Sequence, residues 1–276
     1  MNTMVSPTPP NSSSPSQGFK VMLYGASGTG KTYSIRTLLD AGLEVFVLFT
    51  EPGMATLRDI KSDRLHWFYV PPVPFNLASF QAMLSNINTM PFQALTASSD
   101  PNRKDYNQMI HISSALAKFH DERSGQDFEA LDKWDTSRVL VVDSISGIAA
   151  AAVGLVVGGR PTMSQGDYGV VMNTVEKFIN MLCFGVRTNV VMMAHEEREV
   201  NEVTGGTAIM PSTIGRKLSP KIGRFFDDVI LTYVKDAKFM WAGVMPNYEL
   251  KSRHLPLRAG LEPSFVPLVT EWRKGA

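Results

Sequence analysis

One octapeptide constrains this chain more than anything else in it. Gly25-Ala26-Ser27-Gly28-Thr29-Gly30-Lys31-Thr32 satisfies the pattern G-x-x-x-x-G-K-[ST] at every fixed position. An apolar run, Lys20-Val21-Met22-Leu23-Tyr24, leads into it, and a helix-like run from Thr32 to Asp40 leads out. Strand, glycine-rich loop and helix in that order make a cradle for a polyphosphate. The glycines let consecutive backbone N–H groups turn inward, and the helix adds the partial positive charge of its N-terminus. A chance match in a glycine-containing turn would lack both flanks. In such a loop Gly25, Ala26, Ser27, Gly28, Thr29 and Gly30 form the wall, and the Lys31 ammonium reaches the β- and γ-phosphates. The Thr32 hydroxyl ligates Mg²⁺. The expected ligand is a nucleoside triphosphate with its magnesium ion.

The remaining pattern agrees with an α/β fold. Strand-like runs fall at Lys20–Tyr24, Glu44–Thr50, Leu65–Val70, Arg138–Val142, Asn189–Ala194 and Val229–Val234, and helical stretches near 31–41, 77–89, 105–120, 145–156 and 166–184. Most of the strands are continuous apolar runs, which suits parallel strands covered on both faces. The expectation is a mostly parallel twisted sheet with helices on both faces. Two stretches break the rhythm. Residues 71–137 read as a helical insertion with a mobile linker, and 196–228 as a polar functional loop followed by a short helix. Residues 1–17, rich in Pro, Ser, Thr and Asn and without Lys or Arg, read as a disordered leader. A single domain over 18–276 follows, with strands and a tail at 235–276.

Composition excludes several classes. With 276 residues and 44% apolar content the chain can bury one large core. A net charge of +1 announces no global field for nucleic acid, so any basic surface is local. The single cysteine, Cys183, cannot form an intrachain disulfide and fits a reducing cytoplasm; its apolar helical neighbours mark it as a buried thiol. No apolar run reaches the ~20 residues of a membrane span.

A phosphate cradle names a ligand, and its companions name a reaction. The run Arg138-Val139-Leu140-Val141-Val142-Asp143-Ser144 is a hydrophobic strand ending in an acid, suited to aim Asp143 at the Mg²⁺ shell beside Thr32. The residue after Asp143 is serine, so a water-activating base must come from elsewhere. Glu51, at the end of the strand that follows the loop's helix, is placed to polarise a water for attack on the γ-phosphate, since parallel strand ends converge on a bound ligand. His195 ends a further strand and can donate a hydrogen bond that exists with ATP and is lost with ADP. After it come Arg216, Lys217, Lys221 and Arg224 within nine residues. These cations either reach a neighbouring subunit's γ-phosphate or hold a DNA backbone. A second polar loop, carrying Arg160, faces the same channel.

Loop, Glu51, Asp143-Ser144 and His195 together resemble the RecA-like ATPase core. More narrowly, Val142-Asp143-Ser144-Ile145-Ser146, Gly166-Asp167-Tyr168-Gly169 and Met193-Ala194-His195-Glu196 are similar to phage-encoded, core-only RecA-like proteins: the Sak-type single-strand annealing group and relatives described as phage AAA ATPases. The resemblance spans about residues 18–234. His195 stands where RecA has glutamine, and the 71–137 insertion has no counterpart of that length. What the resemblance implies is an ATPase, with ATP and Mg²⁺, that assembles as a ring or filament on single-stranded DNA in phage recombination or annealing. A single-stranded DNA-binding protein joins its expected partners, and a membrane does not. The loops at 158–168 and 196–216 would face the strand, and Arg58 would stack on adenine. A ring-forming helicase-like motor and a small-molecule kinase are the alternatives.

Overall fold

Apolar residues at consecutive strand positions are stable only if both faces of the sheet are covered, and the computed structural model has that arrangement. It describes residues 17–72, 76–91, 93–94, 103–160, 162–200, 205–214 and 218–275. Its main sheet contains β1 (Lys20–Tyr24), β2 (Glu44–Phe49), β3 (Leu65–Tyr69), β6 (Arg138–Asp143), β7 (Asn189–Ala194), β10 (Asp228–Lys235), β11 (Lys238–Ala242) and β12 (Ala259–Leu261). Two hairpins stand apart: β4 (Phe119–His120) with β5 (Asp127–Phe128), and β8 (Glu196–Val200) with β9 (Thr207–Pro211).

The order across the sheet is β12-β11-β10-β1-β7-β6-β2-β3. Every pair from β10 to β3 is parallel, and the two pairs β10–β11 and β11–β12 are antiparallel. Side chains alternate between two cores. Met22, Tyr24, Phe46, Leu48, Leu140 and Val142 face one core, where α3 (Gln108–Ala117), α4 (Ile145–Val157) and α5 (Gln165–Phe184) cover them. Val21, Leu23, Val45, Val47, Val139 and Val141 face the other, under α1 (Arg36–Asp40) and α6 (Val266–Gly275). Cys183 is buried in the first core, and burial pushes its thiol up to about 12. No helix among the described residues is long and apolar enough to cross a membrane.

The six strands expected from the sequence all form. Several boundaries are corrected. The helix expected over 105–120 stops at Ala117, because Phe119 turns into β4 and meets the Phe46 ring edge to face at 5.2 Å. The segment expected as a loop from 196 is the β8–β9 hairpin, its backbone groups paired from Glu196↔Pro211 to Val200↔Thr207. The chain's tail is helical: α6 places Leu268 and Val269 in the second core. Within 71–137, α2 (Leu77–Thr89) is largely exposed, whereas α3 puts Met109, Ile112 and Leu116 into the first core. The expected leader lies outside the described residues except Gln17, whose side chain donates to the Val186 carbonyl at 2.8 Å.

Candidate functional site

The glycine-rich loop leaves β1 at the sheet's C-terminal edge and enters a 3-10 turn, Thr32–Ile35, that continues into α1. Its shape depends on two close approaches. A Cβ at Gly25 would lie 2.2 Å from the Thr232 carbonyl oxygen of β10, so only glycine lets the loop start there. Gly30 has φ +88° and carries the Phe239 ring against its backbone, where a Cβ would lie 2.8 Å from ring carbon. Thr29 ties the loop down, with its hydroxyl 2.5 Å from that of Thr232.

The Lys31 ammonium is curled onto its own loop, donating to the Gly25 and Ala26 carbonyls at 2.8 Å each. Burial lowers its pKa, opposed by Asp143, Glu196 and Glu51. The Thr32 hydroxyl donates to Asp143 Oδ2 at 2.7 Å. Burial raises the Asp143 pKa, while the Thr32 bond and the Lys31 charge act the other way. A buried carboxylate short of compensating charge beside a hydroxyl fits a small hard cation. Magnesium keeps most of its ligands as water and phosphate oxygens and takes few from protein. No cluster of three or more His, Cys, Asp or Glu side chains able to hold a metal forms among the described residues.

Glu51 and His195 reach the same place from the ends of β2 and β7, which flank β6. Glu51 Oε1 accepts from the Ser144 hydroxyl at 2.9 Å, and Glu51 Oε2 lies 3.5 Å from His195 Nε2. Lys31, Thr32, Asp143, Glu51 and His195 all line one open cavity of about 360 Å³, and Ser144 stands behind it. Two further lining residues carried no sequence signal: Tyr33, directly after the loop, and Phe239, on β11. Their rings are 5.8 Å apart, each over a third exposed, and the Arg36 guanidinium lies 3.9 Å from the centre of Tyr33. Phe239 was invisible in sequence because it lies 209 residues from Gly30 and meets it only through β10–β11 pairing.

Other expected residues are placed differently. Arg58 ends the short turn Met54–Leu57, is exposed, and does not line the cavity. Arg160 is held within its own segment, 2.9 Å from Asp167 and bonded to the Val157 carbonyl. Arg224 pairs with Glu176 at 2.5 Å and lies over the Phe225 ring, while Lys221 is exposed. Arg216 and Lys217 lie outside the described residues. The β8 strand that follows His195 carries Glu196, Glu197 and Glu199 against Arg198, an acidic surface rather than a basic one.

A parallel sheet with β7 inserted between the loop-bearing β1 and the acid-bearing β6, and a phosphate cradle at its C-terminal edge, defines a P-loop ATPase of RecA-like architecture. The chain belongs to the AAA domain family, whose model matches residues 17–254. Solved structures similar to it include the RadB recombinase, at 15% identity over 89% of this chain and 86% of that one, with a TM-score of 0.38. An ATPase from the type III secretion system of pathogenic bacteria shares 11% identity over 79% of this chain and 52% of its own, with a TM-score of 0.36. The flagellar accessory protein FlaH from Methanocaldococcus jannaschii shares 10% identity over 83% and 78%, with a TM-score of 0.28. Likenesses of this depth carry no argument about activity. No curated protein matches the chain.

Proposed function

We propose that the chain hydrolyses ATP with Mg²⁺ and uses the cycle on single-stranded DNA, in annealing or recombination of the phage type. The observation that carries the hydrolytic part is the convergence of Lys31, Thr32, Asp143, Glu51 and His195 on one cavity at the sheet's C-terminal edge. The loop's N–H groups and the freed Lys31 ammonium bind the β- and γ-phosphates. Thr32 and Asp143 hold Mg²⁺, which supplies neutralising charge on the phosphate oxygens. Glu51 takes a proton from the attacking water as its oxygen bonds to the γ-phosphorus and the bond to ADP breaks. His195, beside Glu51, hydrogen-bonds a γ-phosphate that is present only before hydrolysis.

The sheet order also orients the nucleotide. Glu51, Asp143 and His195 all belong to the β7 side of β1, and Phe239 to the β10–β11 side. A triphosphate with its γ end at Glu51 therefore projects its base toward Tyr33 and Phe239, and away from Arg58. Base–aromatic stacking is worth ~1–3 kcal/mol. Phe239→Ala should weaken ADP and ATP binding by about tenfold in calorimetric titration. Tripolyphosphate, which has no base, should bind unchanged. Equal losses for all three ligands would remove the base from this position.

The DNA part is supported by the resemblance and by the cations at 216–224. Arg224 is engaged by an exposed ion pair, and such pairs are worth ~0–1 kcal/mol, little enough for a phosphate to displace. The acidic β8 strand would repel a DNA backbone, so contact is assigned to the cations instead. If Arg216, Lys217, Lys221 and Arg224 each neutralise one phosphate, the log–log salt dependence of single-strand binding should have a slope of about −3. Hydrolysis should rise when single-stranded DNA is added. A slope of zero together with DNA-independent hydrolysis would leave an ATPase without this partner.

A further inference from the structure

Ser144 stands at the N-cap of α4, and serine is among the preferred capping residues, yet its hydroxyl makes no capping bond. It donates across the sheet to Glu51 Oε1 at 2.9 Å. Its backbone is held for that purpose from the neighbouring strand end. The Thr50 hydroxyl accepts from the Ser144 N–H at 3.0 Å and donates to the Ser144 carbonyl at 2.9 Å. Gly147, in the first turn of α4, leaves the room that Thr50 occupies, since a Cβ there would lie 2.1 Å from the Thr50 hydroxyl oxygen. Ser144 is 1% exposed, so water does not compete for its hydroxyl. With Ser144 on Oε1 and His195 beside Oε2, the Glu51 carboxylate has a defined plane, although the side chain itself sits in an open cavity.

We propose that Ser144 is the positioning residue for Glu51: its hydroxyl, diverted from the α4 cap, aims the carboxylate at the attacking water. The inference rests on Glu51 being the base. It accounts for a serine directly after the metal-site aspartate. A side chain at that position leaves the end of β6 toward β2, where the base stands, and a short hydroxyl spans the gap between them.

The test compares Ser144→Ala, Ser144→Thr and Glu51→Gln with the parental chain, by steady-state hydrolysis, nucleotide titration and thermal melting. Misplacing a reacting group by about 1 Å costs up to about 100-fold. Ser144→Ala should therefore lower kcat by about tenfold or more, with KM and ADP affinity within about twofold of parental. Ser144→Thr, which keeps the hydroxyl, should recover most of the rate. If the added methyl unfolds the threonine variant, Ser144→Cys keeps the volume with a weaker donor, and its kcat should fall between those of serine and alanine. A parental kcat in Ser144→Ala overturns the proposal. So does a parallel loss of rate, affinity and melting temperature, which marks a purely structural serine. Failure of the base reading looks different, because Glu51→Gln itself then hydrolyses ATP at the parental rate.

Discussion

Glu51→Gln should hold ATP and Mg²⁺ at near-parental affinity while hydrolysing it about 1,000-fold more slowly. General base catalysis contributes ~10²–10⁴-fold, and an amide cannot accept the water's proton at neutral pH. The amide is nearly isosteric with the carboxylate, so it can keep the hydrogen bond from Ser144, whose hydroxyl now donates to a carbonyl oxygen. Its neighbours bind phosphate through other groups: Lys31, the loop N–H groups and Thr32 are untouched. The expected result is a chain that remains ATP-bound, visible as labelled ATP retained through gel filtration with no phosphate released. Turnover at the parental rate would falsify Glu51 as the base and leave His195 the nearest group able to take that role.

Lys31→Ala should fail earlier in the cycle. The ammonium is the only cation lining the cavity among the described residues. Its present partners are the carbonyls of Gly25 and Ala26, which it must leave to reach a phosphate. Burial already weakens its hold on its proton, and a polyphosphate anion in the cradle restores that hold. Removing it loses both ground-state attraction and the charge stabilisation of the transition state. Losing one preorganised donor of this kind costs ~10²–10³ in kcat. Calorimetry should show ATP affinity down by about tenfold or more, and phosphate release should fall below detection. If both stay parental, the cavity at the loop is not where ATP is bound.

The strand-end residues were legible because parallel strands have a direction. A strand that follows a phosphate loop, or that ends in an acid after four apolar residues, delivers its last side chain to the same edge. Glu51, Asp143 and His195 meet there as expected, and Asp143 bonds Thr32 directly. Arg58 stands outside the cavity for a related reason. Its distance along the chain from Glu51 is short, but it follows β2, on the β7 side of β1, while Phe239 stands across β10 on the opposite side. The β8–β9 hairpin was read as a loop because β8 is polar and β9 offers only a short apolar run, Ala208 to Pro211, outside the main sheet. Ser144 carried no signal of its own, since nothing local distinguishes a hydroxyl that bonds its own helix from one that bonds another strand.

By itself the amino-acid sequence determined the loop, the strand-end residues Glu51, Asp143 and His195, the two-faced sheet and the edge at which they meet. Those features are encoded locally: glycines at fixed spacing, uninterrupted apolar strands and polar residues at their ends act over a few residues. Only the tertiary structure decided which aromatic rings line the cavity, which hydroxyl holds Glu51 and which cations are already paired. The contacts of Ser144 with Glu51 and of Phe239 with Gly30 join segments 93 and 209 residues apart. They depend on strand order, and strand order is set when the two cores close on the sheet rather than by any short stretch of chain.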